Sequence, residues 1–240
     1  MKFLVIGDTC RDLYFYGSSN RKNPEAAAPL LDNITTTTRD GMAANVANNL
    51  TALGVEVRTL LPPEPWSEKK RYIDERYGTQ LLRVDYDRPS DPLGVLPDLS
   101  AYDAVVVSDY DKGFVSHGIL QKLDGKIPLF VDTKKRELGL LTEAWVKVNE
   151  RERELILTPP KHLIATLGNR GSMYEGKYVP AVSIDVIDPC GAGDTYLAAF
   201  AWFMMQTGDV HASMTFANAA AAVTCKHRGT YAPTLEEIHR

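Results

Sequence analysis

A series of short apolar runs, each ending on a polar residue or a glycine, narrows what this chain can fold into. Phe3 to Ile6 leads into Gly7-Asp8, Ala104 to Val107 into Ser108-Asp109, and Leu129 to Val131 into Asp132. Trp145 to Val148 before Asn149 and Leu163 to Leu167 before Gly168 repeat the arrangement. Runs that are apolar at nearly every position need cover on both faces, as in a parallel sheet between helices. Helical patterns lie between them: Ala43 to Leu53 before Gly54, Ser116 to Leu123 before Gly125, Gly191 to Gln206 before Gly208, and His211 to Cys225. The alternation predicts an α/β fold with a mostly parallel central sheet. Open sheets of this kind bind ligands at the carboxyl ends of their strands, where this chain collects Asp8, Asp109, Asp132 and Asn149.

The stretch from Lys70 to Asp87 reads differently. Tyr72, Gln80, Leu82 and Val84 flank Tyr77-Gly78-Thr79 and predict two antiparallel strands outside the main sheet, suited to a lid. Pro62, Pro63 and Pro65 stiffen the approach to it without defining an interdomain linker. Thr35 to Thr38 reads as a loop or an edge strand.

Charge and cysteine usage exclude several function classes. A net charge of -4 offers no global attraction to nucleic acid or to an anionic membrane, so any phosphate binding is local. Cys10, Cys190 and Cys225 are far apart and lack metal-ligand spacing, which argues against a disulfide framework or a zinc site and fits a reducing cytoplasm. The apolar start Phe3 to Ile6 is too short for a signal peptide or a membrane span. The 240 residues suffice for one main domain.

The most informative segment is Asp188-Pro189-Cys190-Gly191-Ala192-Gly193-Asp194-Thr195, followed by the apolar helix from Tyr196 to Phe203. Glycines at a helix start allow a tight turn that aims unpaired N–H groups and the positive helix end at one spot, a geometry that holds a phosphoryl group. Asp194, beside that spot, cannot itself bind phosphate; its useful role is to take a proton from an attacking hydroxyl. Taken alone, Gly-Ala-Gly-Asp serves equally well as a plain N-terminal cap.

The octet resembles the C-terminal signature of the ribokinase-like, or PfkB-type, carbohydrate kinases. Gly7 to Gly17, Asn23-Pro24-Glu25-Ala26 and Gly41-Met42-Ala43-Ala44-Asn45-Val46-Ala47 resemble the heptose-7-phosphate kinase branch, as do Gln80 to Asp85, Val107 to Gly113 and Val131-Asp132-Thr133-Lys134. The resemblance implies a three-layer fold with a central sheet flanked by helices. It further implies one kinase domain over 1–240, with a small β lid from parts of 9–40 and 68–90, and ATP across the C-terminal half.

The same resemblance implies site roles. Asp194 is the base, and the amides of Gly191, Ala192 and Gly193 stabilise the transferring charge. Asp12, Gly41 and Asn45 match sugar-binding positions, and a carboxylate with an amide supplies acceptors and donors to a polyol. Asn149 and Glu152 fit an Asn-Xaa-Xaa-Glu motif that organises Mg2+ through water. Thr166, Gly168 and Gly171 resemble a nucleotide loop, and Asn218 lies on the helix that flanks adenine. Asp109 and Lys112 belong to the substrate side, and Lys112, Lys134, Arg83 and Arg88 are candidates for a substrate phosphate, although each taken singly reads more readily as a solvated surface charge.

The chain also departs from the family. Met42 stands where a second glycine is common, reshaping the sugar pocket, and Cys190 replaces a frequent threonine. Helical segments are missing between Leu61 and Trp66 and between Glu152 and Leu163, so a compact version is expected, whose second gap, near the ATP side, exposes core or calls for a partner subunit; a homodimer through the lid hairpins is consistent with the family. No adenylyltransferase segment follows Arg240, so a kinase-only chain is expected. The leading expectation is an ATP- and Mg2+-dependent sugar kinase, with heptose 7-phosphate as the first acceptor. A non-catalytic sugar- or nucleotide-binding protein, or a kinase for another sugar or nucleoside, are the alternatives.

Overall fold

The computed structural model describes residues 1–64 and 66–239; Pro65, one of the prolines singled out above, and Arg240 lie outside the described residues. The chain order is β1 (Lys2–Gly7), β2 (Thr9–Ser18), β3 (Asp32–Met42), α1 (Ala43–Ala52), β4 (Glu56–Leu60), β5 (Ser67–Asp74) and β6 (Thr79–Tyr86). There follow β7 (Ala104–Asp109), α2 (His117–Leu123), β8 (Leu129–Thr133), β9 (Trp145–Asn149), α3 (Glu150–Glu154) and β10 (His162–Thr166). The chain finishes with β11 (Ser172–Tyr174), β12 (Lys177–Val179), α4 (Ala192–Thr207), α5 (Val210–Cys225) and α6 (Leu235–Ile238).

Eight strands form the main sheet in the order β12-β11-β10-β9-β8-β7-β1-β4. The ladder from β10 to β4 is parallel, and β11 and β12 add an antiparallel edge. The apolar runs behave as two-sided strands. Phe3, Val5, Ala104, Val106 and Phe130 turn to the layer that contains α1, α4 and α5, while Leu4, Ile6, Val105, Val107 and Val131 turn to the layer that contains α2. Alternate Cβ atoms leave a strand on opposite sides, so each run serves two cores. Helix α4 is apolar nearly all round because it lies between the sheet and α5; Tyr196 to Ala201 are buried without interruption. Gly208 ends it in the left-handed conformation, φ 67°, and the Asp209 side chain caps α5 by accepting from the Ala212 N–H.

A second sheet of four strands has the order β3-β2-β5-β6. Thr35 to Thr38 lie in its edge strand β3, and the antiparallel pair β5–β6 turns across 75–78 as the sequence pattern indicates. The chain crosses between the two sheets at Asp8, at Met42/Ala43, between β4 and β5 and through 87–103. The connections flagged as short are so: 61–64 hold no helix, and α3 is a single short turn followed by extended chain to β10.

Candidate active site

The turn into α4 gathers the groups that matter. Gly191 is left-handed at φ 80°, and a Cβ there would lie 2.9 Å from the Asn45 amide nitrogen, so a bare glycine lets α1 and α4 approach. Asn45 is buried, and Asn49 one turn later donates to its side-chain oxygen at 3.2 Å and its carbonyl at 2.8 Å. That orients the Asn45 NH2 outward, where it donates to Asp194 Oδ2 at 2.9 Å. Tyr110, beyond β7, donates its hydroxyl to Asp194 Oδ1 at 3.3 Å.

Asp194 is 5% exposed. Burial pushes its carboxyl up to about 6, the nearby Asp132 charge adds to the rise, and the Asn45 hydrogen bond with Lys147 and Lys69 opposes it. A carboxylate ionised at neutral pH yet basic enough to accept a proton is the state a general base needs.

Cations ring the same turn. Lys147, buried in β9, pairs with Asp132 Oδ2 at 2.7 Å, and its Nζ lies 2.9 Å from where a Cβ on Gly193 would stand. Lys134 pairs with Glu152, and both Lys134 and Lys69 approach the Tyr110 ring, at 4.8 and 5.1 Å from its centroid. Glu152 also closes a capping box with Asn149, whose side chain accepts the Glu152 N–H while Glu152 accepts the Asn149 N–H. A connected run of charges thus joins Asn149 and Glu152 to Gly193 and Asp194. Asp132 Oδ1 is buried and lacks a hydrogen-bond partner among the described residues.

On the sugar-facing side expected from the sequence, Asp12 is buried and pairs with Arg71 of β5. Gly41 lies against it: a Cβ would come within 2.4 Å of Asp12 Oδ2 and 2.5 Å of the Cys10 sulfur. Cys190 accepts from the Tyr14 hydroxyl at 3.4 Å and from Arg71 at 3.5 Å. Met42 has φ 57° and ψ -132°, a backbone that glycine adopts freely and methionine does not.

Other expected site residues stand apart from this group. Asp109 accepts from Thr133 at 2.6 Å, from the Asp111 N–H at 3.0 Å and from Lys135 at 3.2 Å, which makes it a buried structural anchor. Lys112 pairs with Asp87 and, with Arg88, lines a different cavity of about 490 Å³. Asp8 accepts the N–H groups of Tyr110 and Lys112 and so shapes the loop that carries Tyr110. Thr166 donates to the Val148 carbonyl at the end of β10. Gly168, at φ 61°, is open around its Cβ position, whereas a Cβ on Gly171 would meet the Val179 carbonyl oxygen at 2.1 Å. Asn218 uses its amide to hold the carbonyls of Val179 and Pro180, fixing the segment that runs on to 181–187.

Tyr110, Lys147, Lys69 and Arg71 escaped sequence reasoning. Lys147 carried a usable signal, because a charge inside an otherwise apolar buried strand is costly unless it is paired. For a divalent cation, Asp132 with its unsatisfied oxygen and Glu152 form a fitting donor pair, since Mg2+ takes one or two carboxylates and keeps water and substrate phosphate.

Residues 135–238 match the model of the pfkB family carbohydrate kinase. The bifunctional protein HldE of Nitrobacter hamburgensis is 28% identical over 305 aligned positions, which cover 99% of this chain and 62% of that protein. The chain therefore spans less than two thirds of that relative, and the alignment exceeds its 240 residues because the relative carries segments missing here. Among solved structures, ribokinase from Thermotoga maritima superposes with a TM-score of 0.72 at 15% identity, covering 100% of this chain and 98% of its own. Arabidopsis thaliana ribokinase complexed with ribose and ATP gives 0.70 at 18% identity, covering 99% and 97%. The fold is the ribokinase-like α/β fold. The glycine turn and its buried aspartate lie within the 135–238 segment that matches the pfkB family carbohydrate kinase model, on a chain with the ribokinase-like fold.

Proposed function

We propose that this chain transfers the γ-phosphoryl group of ATP to a hydroxyl of a sugar or sugar phosphate, with Asp194 as the general base. The observation that carries the reading is the Asp194 carboxylate itself. It is buried in the first turn of α4, held on both oxygens by Asn45 and Tyr110, and raised by burial to about 6. Its acceptor hydroxyl loses a proton to Asp194 while the in-line phosphoryl group faces the α4 amides. Lys147, beside Gly193, stabilises the charge on the transferring oxygens, and the small sheet closes over the acceptor as a lid that excludes water. Asp132 and Glu152 would hold Mg2+ through water, and the cation would neutralise phosphate charge.

Heptose 7-phosphate is the first acceptor to test, on the resemblance of the 7–17, 23–26, 41–47 and 80–85 segments and the likeness to HldE. The ATP assignment is supported by the ribokinase relative complexed with ATP. Among the described residues no helix is long and apolar enough to cross a membrane. Three free cysteines suit a reducing cytoplasm. Ile34, Leu82 and Tyr86 are exposed on the small sheet, which suits a homodimer through that face.

The test is magnesium-dependent ADP release with heptose 7-phosphate, fructose phosphates, ribose and nucleosides as acceptors. Turnover with one of them supports the reading and names the acceptor. Folded protein that binds ATP or a sugar and releases no ADP with any of them favours a binding protein instead.

A further inference from the structure

Tyr110 is held at both ends. Its N–H and that of Lys112 donate to the buried Asp8 at 2.8 and 3.1 Å, and the Asp111 N–H donates to Asp109 at 3.0 Å, which pins the loop to the ends of β1 and β7. At the other end its hydroxyl donates to Asp194 Oδ1 at 3.3 Å. Desolvation first, then the charges of Asp194 and Asp132, push the phenol well above its ordinary value, so Tyr110 keeps its proton and serves Asp194 only as a donor. Between those ends the ring carries two ammonium groups from different parts of the molecule. Lys134, after β8, belongs to the body, with Nζ 4.8 Å from the ring centroid. Lys69 belongs to the small sheet, where it pairs in register with Asp12 and shares a face with Ser67 and Arg71. Among the described residues Lys69 forms no ion pair, and its Nζ lies 5.1 Å from the same centroid.

We propose that Lys69 is a positioning residue for the base and acts through Tyr110: seated on the ring, it fixes the Tyr110 hydroxyl on Asp194 Oδ1 and so leaves the carboxylate one orientation toward the acceptor hydroxyl. A cation beside an aromatic ring draws electron density from it and strengthens the phenol as a donor. The other groups that face Asp194 are Asn45 of α1, Cys10 of β2, Asp132 of β8, Lys134 and Lys147 of β9. Of these Cys10 alone shares the small sheet with Lys69, and burial pushes its thiol up to about 12, which leaves it neutral. Lys69 is thereby the charge through which the small sheet reaches the base, without touching the reacting atoms. The proton taken from the acceptor ends on Asp194, and Tyr110 keeps its own. The inference rests on the kinase reading for the role of Asp194.

A double-variant cycle with Tyr110→Phe and Lys69→Met tests it. Both side chains are half-buried and both changes keep their bulk. At about pH 8, Tyr110→Phe is expected to lower kcat about tenfold while acceptor KM stays within about twofold. Lys69→Met is expected to lower kcat about threefold, Lys69→Arg to restore most of it, and Lys69→Met to lose most of its effect in the Tyr110→Phe background. An equal effect of Lys69→Met in both backgrounds, or an effect confined to KM, overturns the proposal and makes Lys69 a direct substrate contact. NMR of carboxyl-labelled aspartate in the free protein, with Asp194→Asn to assign the signal, reads the same coupling without turnover. The Asp194 titration is expected to move upward in each single variant, and in the double variant by less than the sum of the two. A titration that does not move, or moves additively, overturns the coupling. The expected titrations without phosphorylation of any acceptor would leave the coupling standing and remove the kinase reading; turnover with additive variants would do the reverse.

Discussion

The Asn45 side chain donates to Asp194 across 2.9 Å, joining the first helix of the chain to the helix that carries the proposed base. The bond is possible because Gly191 lacks a Cβ and because Asn49 turns the Asn45 amide the right way round. It also lowers the carboxyl that burial raises, leaving Asp194 ionised at neutral pH and still a capable base.

The raised carboxyl sets a pH profile. Activity should climb as pH rises through about 6 and then level off, as Asp194 loses its proton. A rate that is flat between pH 5 and 8 on a competent acceptor contradicts this assignment.

Stability should move in the opposite direction. The native state holds the Asp194 proton more tightly than the unfolded chain between 3.8 and about 6, so stability falls as pH rises through that window and stays lower above it. Asp194→Asn removes the cost. Its advantage over wild type should be small near pH 4 and reach up to about 3 kcal/mol above pH 6, as read from urea unfolding.

Lys147 separates structure from function. Lys147→Met leaves Asp132 buried with a weaker partner, Lys134 at 3.9 Å, and should destabilise the protein by about 3 kcal/mol. Adding Asp132→Asn should restore most of that stability and none of the activity. Recovery of activity in the double variant would reduce Lys147 to a structural role.

Met42 tests the backbone at the proposed sugar end. Its side chain is buried, so either truncation should destabilise the protein. At an ordinary position Ala would be the milder change; here φ 57° with ψ -132° should make Met42→Gly the more stable variant, by about 1 kcal/mol or more. Thermal melts of the two variants decide it.

Gly41→Ala should be damaging for a different reason. The added methyl would fall between Asp12 Oδ2 and the Cys10 sulfur, both buried, and should cost about 2 kcal/mol while raising the acceptor KM. Unchanged stability and KM would show that the Asp12 carboxylate moves freely, against the tight contact seen here.

The central strands were legible because a strand covered on both faces is apolar at every position, as Phe3 to Ile6 and Ala104 to Val107 are. Strand β4 was not, because Glu56, Arg58 and Thr59 are exposed at the sheet edge and leave no apolar run. The glycine turn and Asp194 were readable as one contiguous segment. Tyr110, Lys147 and Arg71 lie far from it in sequence and reach it only through strand order, which places β7, β8 and β9 side by side and sets β5 against β2. Asp109 shows the converse: a carboxylate at a strand end, where ligands gather, is here engaged entirely by Thr133, Lys135 and the Asp111 amide. Position on a sheet marks a region, and the hydrogen-bond partners decide which side chains in it are free to act.

The most direct test of the central claim compares wild type with Asp194→Asn, using labelled ATP, magnesium and the acceptor found in the panel, with phosphorylated product measured by mass spectrometry. Both proteins are expected to fold and bind ATP alike, with the variant forming product at least about a thousandfold more slowly. Product formed at a comparable rate by Asp194→Asn would contradict it.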